Sequence, residues 1–162
     1  MLEAPRSVER TRTSRRHVGS GWHCEYGVEA SDQTLISVML IVPDAEDAVE
    51  WYREALGATV LWNLGGVAGL QVEGAPFFVH EVNPLNPAET SPAEAGGTST
   101  RIELFVDDPD AVLERALAAG ADAGSPMEGR KTPWGIHRQG GFRDPFGHNW
   151  SVGDKSPLQP RS

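Results

Sequence analysis

The chain has 162 residues, 39% of them hydrophobic and 23% charged, with a net charge of -9, a composition that fits one ordinary globular domain. No apolar run approaches the roughly 18 residues that a membrane span needs, and no apolar signal core opens the chain, so the expected location is the cytoplasm. A single cysteine, Cys24, excludes an internal disulfide.

Residues 1–33 carry Arg6, Arg10, Arg12, Arg15 and Arg16 against Glu3, Glu9, Glu25, Glu29 and Asp32, so the net negative charge belongs to residues 34–162. An acidic body repels phosphate backbones, which argues against nucleic acid as partner and favours neutral or cationic ligands. The first 33 residues show no sustained helix or strand period, and a disordered leader is expected there. Its Arg and Ser content leaves two readings open, a transit peptide or an unstructured tail.

Thr34 to Val42 is β-rich and nearly all apolar, as a strand covered on both faces should be. Pro43 ends it and Asp44 is a good N-cap for a helix whose apolar stripe is Ala48, Val49, Tyr52, Ala55 and Leu56. Gly57 can take the left-handed conformation that stops that helix. Three short strands are expected next, Thr59 to Leu64, Val67 to Val72 and Phe77 to Val82, separated by Gly/Pro-containing breaks. A Pro/Gly linker follows over residues 83–98.

The plan then repeats about 64 residues on. Arg101 to Val106 is a strand, Asp108 caps a helix with Pro109 at its tolerated first position and Val112, Leu113, Ala116 and Leu117 inward, and Gly120 stops it. Fainter strands are expected near Ala123, at Trp134 to Arg138, at Gly141 to Phe142 and at Asn149 to Val152. Asp144-Pro145-Phe146-Gly147 suits a type I turn that launches the last strand. Repetition at fixed spacing signals a duplicated unit whose copies pack together. The expected fold class is α+β, with βαβββ modules at 34–82 and 99–154 in a single domain 34–154, and a tail at 155–162.

These two modules, helices ending A-L-G-A and A-A-G-A, and the closing R-D-P-F-G-H-N-W-S-V resemble the vicinal oxygen chelate superfamily over residues 34–154. That group includes glyoxalases, extradiol dioxygenases, fosfomycin-resistance enzymes and bleomycin-resistance proteins. The resemblance implies a curved, mixed eight-stranded sheet around a cleft, and a homodimer. Metal-dependent members take one ligand from the first and one from the last strand of each module. The matching first-strand positions here are Ser37 and Arg101, seven before the capping aspartates, and the matching position after the D-P-x-G turn is Ser151. None of these is a ligand, and Arg101 puts a permanent positive charge where the ion would sit. Only His80 or Glu81 remains to offer one, with the cleft-facing member undecided, because Phe77 to Val82 is apolar on both alternating sets. No bound metal and no cofactor are expected.

In the strand Arg101 to Val106, Ile102, Leu104 and Val106 should pack under the helices and leave Arg101, Glu103 and Phe105 to the cleft. The same alternation sends Ser37, Met39 and Ile41 to the cleft, with Asn149 and Ser151, and turns His148 and Trp150 to the helix layer. Arg101 and Glu103 either pair with each other or contact a ligand. Trp62 and Trp134 are candidates to stack on a flat ligand, or else cap the core or a dimer contact. Trp51 reads as an interface residue. His137 is either an acid-base group or a lone surface histidine, since no partner carboxylate can be assigned. The ligand-binding candidates are therefore Ser37, Met39, Trp62, Arg101, Glu103, Phe105, Trp134 and Ser151.

The expected function is metal-free binding of a small neutral or cationic aromatic molecule, sequestering a drug or metabolite as antibiotic-resistance members of the family do. The alternative is a lyase or dioxygenase with rearranged ligands, or metal-free acid-base chemistry through His80, Glu81 or His137. A paralogue acting through protein contacts is a third possibility.

Overall fold

The structure is a computed structural model and describes residues 34–159; the expected leader, with Cys24, lies outside the described residues. The first module is β1 (Met39–Val42), α1 (Ala45–Leu56), β2 (Thr59–Asn63), β3 (Val67–Val72) and β4 (Ala75–Glu81). After a short helix α2 (Pro92–Ala95), the second module is β5 (Arg101–Phe105), α3 (Pro109–Ala118), β6 (Asp122–Ala123), β7 (Glu128–Thr132), β8 (Gly135–Arg143) and β9 (Asn149–Gly153), closed by a 3-10 turn at Ser156–Leu158. The order in the first sheet is β1-β4-β3-β2 and in the second β5-β9-β8-β6, with β7 also on β8. In each, the first strand is parallel to the last and the remaining pairs are antiparallel. The α+β architecture matches expectation, with the strands distributed as four and five in two mixed sheets, the second module carrying one strand, β7, beyond the expected βαβββ plan. No helix among the described residues is long and apolar enough to cross a membrane.

Local chemistry sets the helices. The Asp44 and Asp108 carboxylates accept from Asp47 N at 2.9 Å and Ala111 N at 3.0 Å, satisfying amides that have no partner inside the helix. Gly57 ends α1 in the left-handed region at φ +67°. The expected linker is partly ordered, because Ser91 caps α2 and Pro92 is buried. The expected strands 134–138 and 141–142 are one strand, β8, and β7 pairs alongside it.

The helix-side faces of both sheets close on one shared core. Phe77 of β4 meets Trp150 of β9 edge-on at 5.9 Å, and Tyr52 of α1 touches Phe77, Phe146 and Trp150. Trp51, read as an interface residue, is instead a joint inside the chain: its indole N–H donates to Ala119 O at 2.8 Å and its ring packs on Phe142 and Phe146. At the centre lies Asp144, 2% exposed. Its carboxylate accepts from the Tyr52 hydroxyl at 2.6 Å, the Trp150 indole at 2.8 Å, and the amides of Phe146 and His148. The turn it begins is closed by Gly147 N donating to Asp144 O, with Gly147 at φ +94°. One aspartate thus fixes the turn, α1 and β9 together.

Candidate functional site: two open sheet faces

Packing helix side to helix side leaves the other face of each sheet open. On the first sheet, β1 and β4 pair Met39 with Phe78 and Ile41 with His80, and Phe78 pairs with Gly69 of β3. This register puts His80 on the open face and Glu81 on the opposite one. Glu81 accordingly accepts from Ala45 N at the start of α1, while His80 Nδ1 contacts the Glu81 carbonyl. Ser37 donates to Pro76 O at 2.8 Å, which occupies its hydroxyl. Trp62 stacks on Phe78, rings 5.7 Å apart and 29° from parallel, and lies over Gly69, where a Cβ would come 2.7 Å from the indole. Trp62 is 40% exposed and Met39 46%. The result is a flat aromatic platform flanked by a thioether.

The open face of the second sheet is polar. Parallel pairing sets Arg101 beside Asn149, Glu103 beside Ser151 and Phe105 beside Gly153, and antiparallel pairing brings Gly141 and Gln139 next to Ser151 and Gly153. Leu104 and Val106 are buried and Ile102 packs against the core, so the alternation read in β5 holds. Arg101 Nη2 lies 2.5 Å from Glu103 Oε1, and Gln139 Nε2 donates to Glu103 Oε2 at 3.0 Å. The two side chains thus pair with each other, and the arginine side chain is 67% exposed. Ser151 is buried in the floor of this row. Trp134 lies in the turn between β7 and β8, 39% exposed.

The modules superpose by register. Ser151 opposes Glu103, two residues after Arg101, and the residue opposing Met39, two after Ser37, is Phe78. The fourth position is thus Phe78 rather than His80 or Glu81, a step the sequence contains but which needs the β1-β4 register to take. Ser37, Phe78, Arg101 and Ser151 hold the four places, a poor donor set for a divalent ion.

His137 is not a surface histidine. It is 6% exposed, with Nδ1 2.9 Å from Asp154 Oδ1 and 3.1 Å from Ser156 Oγ. Asp154 also accepts from Arg138 N at 2.8 Å and Ser156 N at 2.9 Å. Partial burial opposes ionisation of Asp154, but hydrogen bonds from Ser156, Arg138 N and His137 outweigh it and hold its pKa well below the usual carboxylate range. The stretch after 154, read as tail, therefore builds part of this face. His148 and Trp150 are buried on the helix side as expected, with His148 Nε2 3.0 Å from Ile41 O.

The eight candidate ligand residues fall on two surfaces of one chain. Ser37, Met39 and Trp62 belong to the first sheet; Arg101, Glu103, Phe105 and Ser151 belong to the second, with Trp134 at its rim.

Comparison with known proteins agrees with this architecture. A model of the Glyoxalase/Bleomycin resistance protein/Dioxygenase superfamily matches residues 34–152. An uncharacterised protein of Mycobacterium tuberculosis strain H37Rv, Rv0887c, is 33% identical over 155 residues, spanning 91% of this chain and 87% of its own. TioX from Micromonospora sp. ML1 is 30% identical with a TM-score of 0.60, over 75% of this chain and 98% of TioX. The fosfomycin resistance protein FosX from Mesorhizobium loti, 18% identical with a TM-score of 0.56 over 78% of this chain and 98% of its own, shares the fold alone.

Proposed function

Because the chain belongs to the Glyoxalase/Bleomycin resistance protein/Dioxygenase superfamily, we propose that it binds a small, flat, neutral or cationic molecule without a metal ion, sequestering a drug or metabolite in the cytoplasm. The observation that carries this is the filling of the four in-register positions by Ser37, Phe78, Arg101 and Ser151. An aromatic ring and a guanidinium occupy places where a divalent ion would need carboxylate or imidazole. What remains is an apolar platform and a short polar row, the usual make-up of a small-molecule site.

Each chain exposes one apolar and one polar face, and a ligand needs both to be enclosed. A homodimer in which the Trp62–Phe78 platform of one copy meets the Arg101–Glu103–Gln139 row of its partner supplies two such clefts. Glu103 and the acidic body favour a cationic group at the polar wall, while the platform takes the flat ring.

Metal analysis of purified protein should give far less than one equivalent of Zn, Ni, Mn or Fe. Tryptophan fluorescence titrated with a panel of aromatic drugs and metabolites should respond, with no change on adding chelator. Sedimentation should return the mass of a dimer. One tightly bound equivalent of metal, with chelator-sensitive turnover of a catechol or a glyoxal-thiol adduct, would replace this function by a lyase or dioxygenase.

A further inference from the structure

We propose that His137 and Asp154 form a hydrogen-bond-accepting station on the open face of the second sheet that receives the hydroxyl of an aromatic alcohol. This rests on the proposed function only in taking that face as the one that meets ligand. The ring lies across Gly153, where a Cβ would come 2.7 Å from Cε1 and 3.0 Å from Nε2. Gly153 pairs with Phe105, whose ring is 6.2 Å from the imidazole. The imidazole therefore lies on the face that carries Glu103 and Ser151.

The partners of Nδ1 set the chemistry. An ionised carboxylate only accepts, so a neutral imidazole facing Asp154 Oδ1 at 2.9 Å must carry its proton on Nδ1. That leaves Nε2 with a lone pair. Nε2 makes no hydrogen bond with a described residue, the partners of the ring all being on Nδ1. The ring itself is nine-tenths buried.

Fastening β8 to residues 154–156 does not explain the imidazole. Asp154 already accepts the Arg138 amide at 2.8 Å and donates its own amide to Arg138 O at 3.0 Å, and those two bonds make the same connection. What the histidine adds is a fixed ring on the open face, with a second nitrogen beside the Phe105 ring. Its complement is a donor on a flat molecule: an aryl hydroxyl.

The test uses the full chain with 15N-labelled histidine, 2-naphthol, and 2-methoxynaphthalene, which has the same ring system without the donor. Long-range 1H–15N spectra should show the Nδ1–H tautomer for His137. The Nε2 resonance should move on adding 2-naphthol and stay put with the ether. Calorimetry should give about tenfold tighter binding of the naphthol, the worth of one good hydrogen bond. The His137→Asn variant, whose side-chain amide can still donate to Asp154, should bind both compounds equally. An Nε2–H tautomer, or an unmoved Nε2 while calorimetry shows naphthol bound, overturns the station and leaves the proposed function standing. Binding of neither compound overturns the station and counts against the proposed function as well.

Discussion

The two open faces descend from the same module and have been filled with opposite chemistry. Where the first sheet sets Met39 against Phe78, the second sets Glu103 against Ser151. Where β3 has Gly69 beneath a stacked indole, β8 has Gly141 in a row closed by Gln139 and Glu103. One face offers area and polarisable rings, the other a few directed charges and hydrogen bonds. Two faces so different in chemistry suit different parts of one molecule, which is what the proposed function asks of them.

The change expected to erase the contrast altogether is Asp144→Ala, because that carboxylate ties α1 of the first module to β9 of the second. Losing it strands the Tyr52 hydroxyl, the Trp150 indole and two amides in the core. Leaving buried donors unpaired costs about 1–3 kcal/mol each in the worst case, and a net loss of roughly 3–5 kcal/mol is expected. Urea denaturation should show the midpoint falling for signals from both modules together. A midpoint within the error of wild type would mean that the joint lies elsewhere.

Tyr52→Phe probes the same joint more gently and adds a pH signature. Burial, then the nearby Asp144 charge and its hydrogen bond, raise the Tyr52 pKa well above 10. The native state therefore keeps a proton that the unfolded chain releases near pH 10. Stability is complete below that point and falls as pH rises from there toward the folded-state value. The variant should lose about 1 kcal/mol near neutrality and show a flatter decline between pH 9 and 11. An equal slope in both proteins would show that Tyr52 is not the alkaline-sensitive group.

On the apolar face, Trp62→Ala should weaken an aromatic ligand by about 1–2 kcal/mol, roughly five- to thirtyfold. Gly69→Ala is the sharper test. Its new methyl would meet the indole at 2.7 Å, but Trp62 is exposed enough to swing away. Melting should move little while affinity falls nearly as far as in Trp62→Ala. If Gly69→Ala binds normally, the Trp62–Phe78 stack is not the platform.

Much of this contrast was legible in the sequence where one local rule decides. Asp44 and Asp108 announce their helices, Gly57 stops one, and the alternation of Ile102, Leu104 and Val106 with Arg101, Glu103 and Phe105 divides core from open face. Elements set by partners were not. The strand Glu128–Thr132 is exposed at nearly every position, so no apolar period marks it. The expected strands stop at Arg138 and resume at Gly141, but β8 runs through, and Gly140 and Gly141 serve close approach: a Cβ would meet Leu113 at 2.9 Å from the first and Trp150 O at 2.9 Å from the second. The placing of His80 against Glu81, and of Phe78 as the fourth position, needed the β1-β4 register. Asp154 lies 17 residues from His137, and two bonds between Arg138 and Asp154, beyond the last β8-β9 pair, bring them together.

The smallest expected effect belongs to the polar face. Glu103→Gln keeps the shape and the partner on Gln139 but removes the charge that Arg101 pairs with. Because the arginine side chain is 67% exposed, solvent screening limits the pair to well under about 1 kcal/mol of stability, and the melting temperature should barely change. Ligand charge should matter instead. A cationic aromatic should bind several-fold more weakly to the variant, with a shallower dependence on salt, whereas its neutral counterpart should bind as before. Equal losses for both compounds would mean that Glu103 holds the shape of the wall, and the charge preference of the polar face would then have to come from another group.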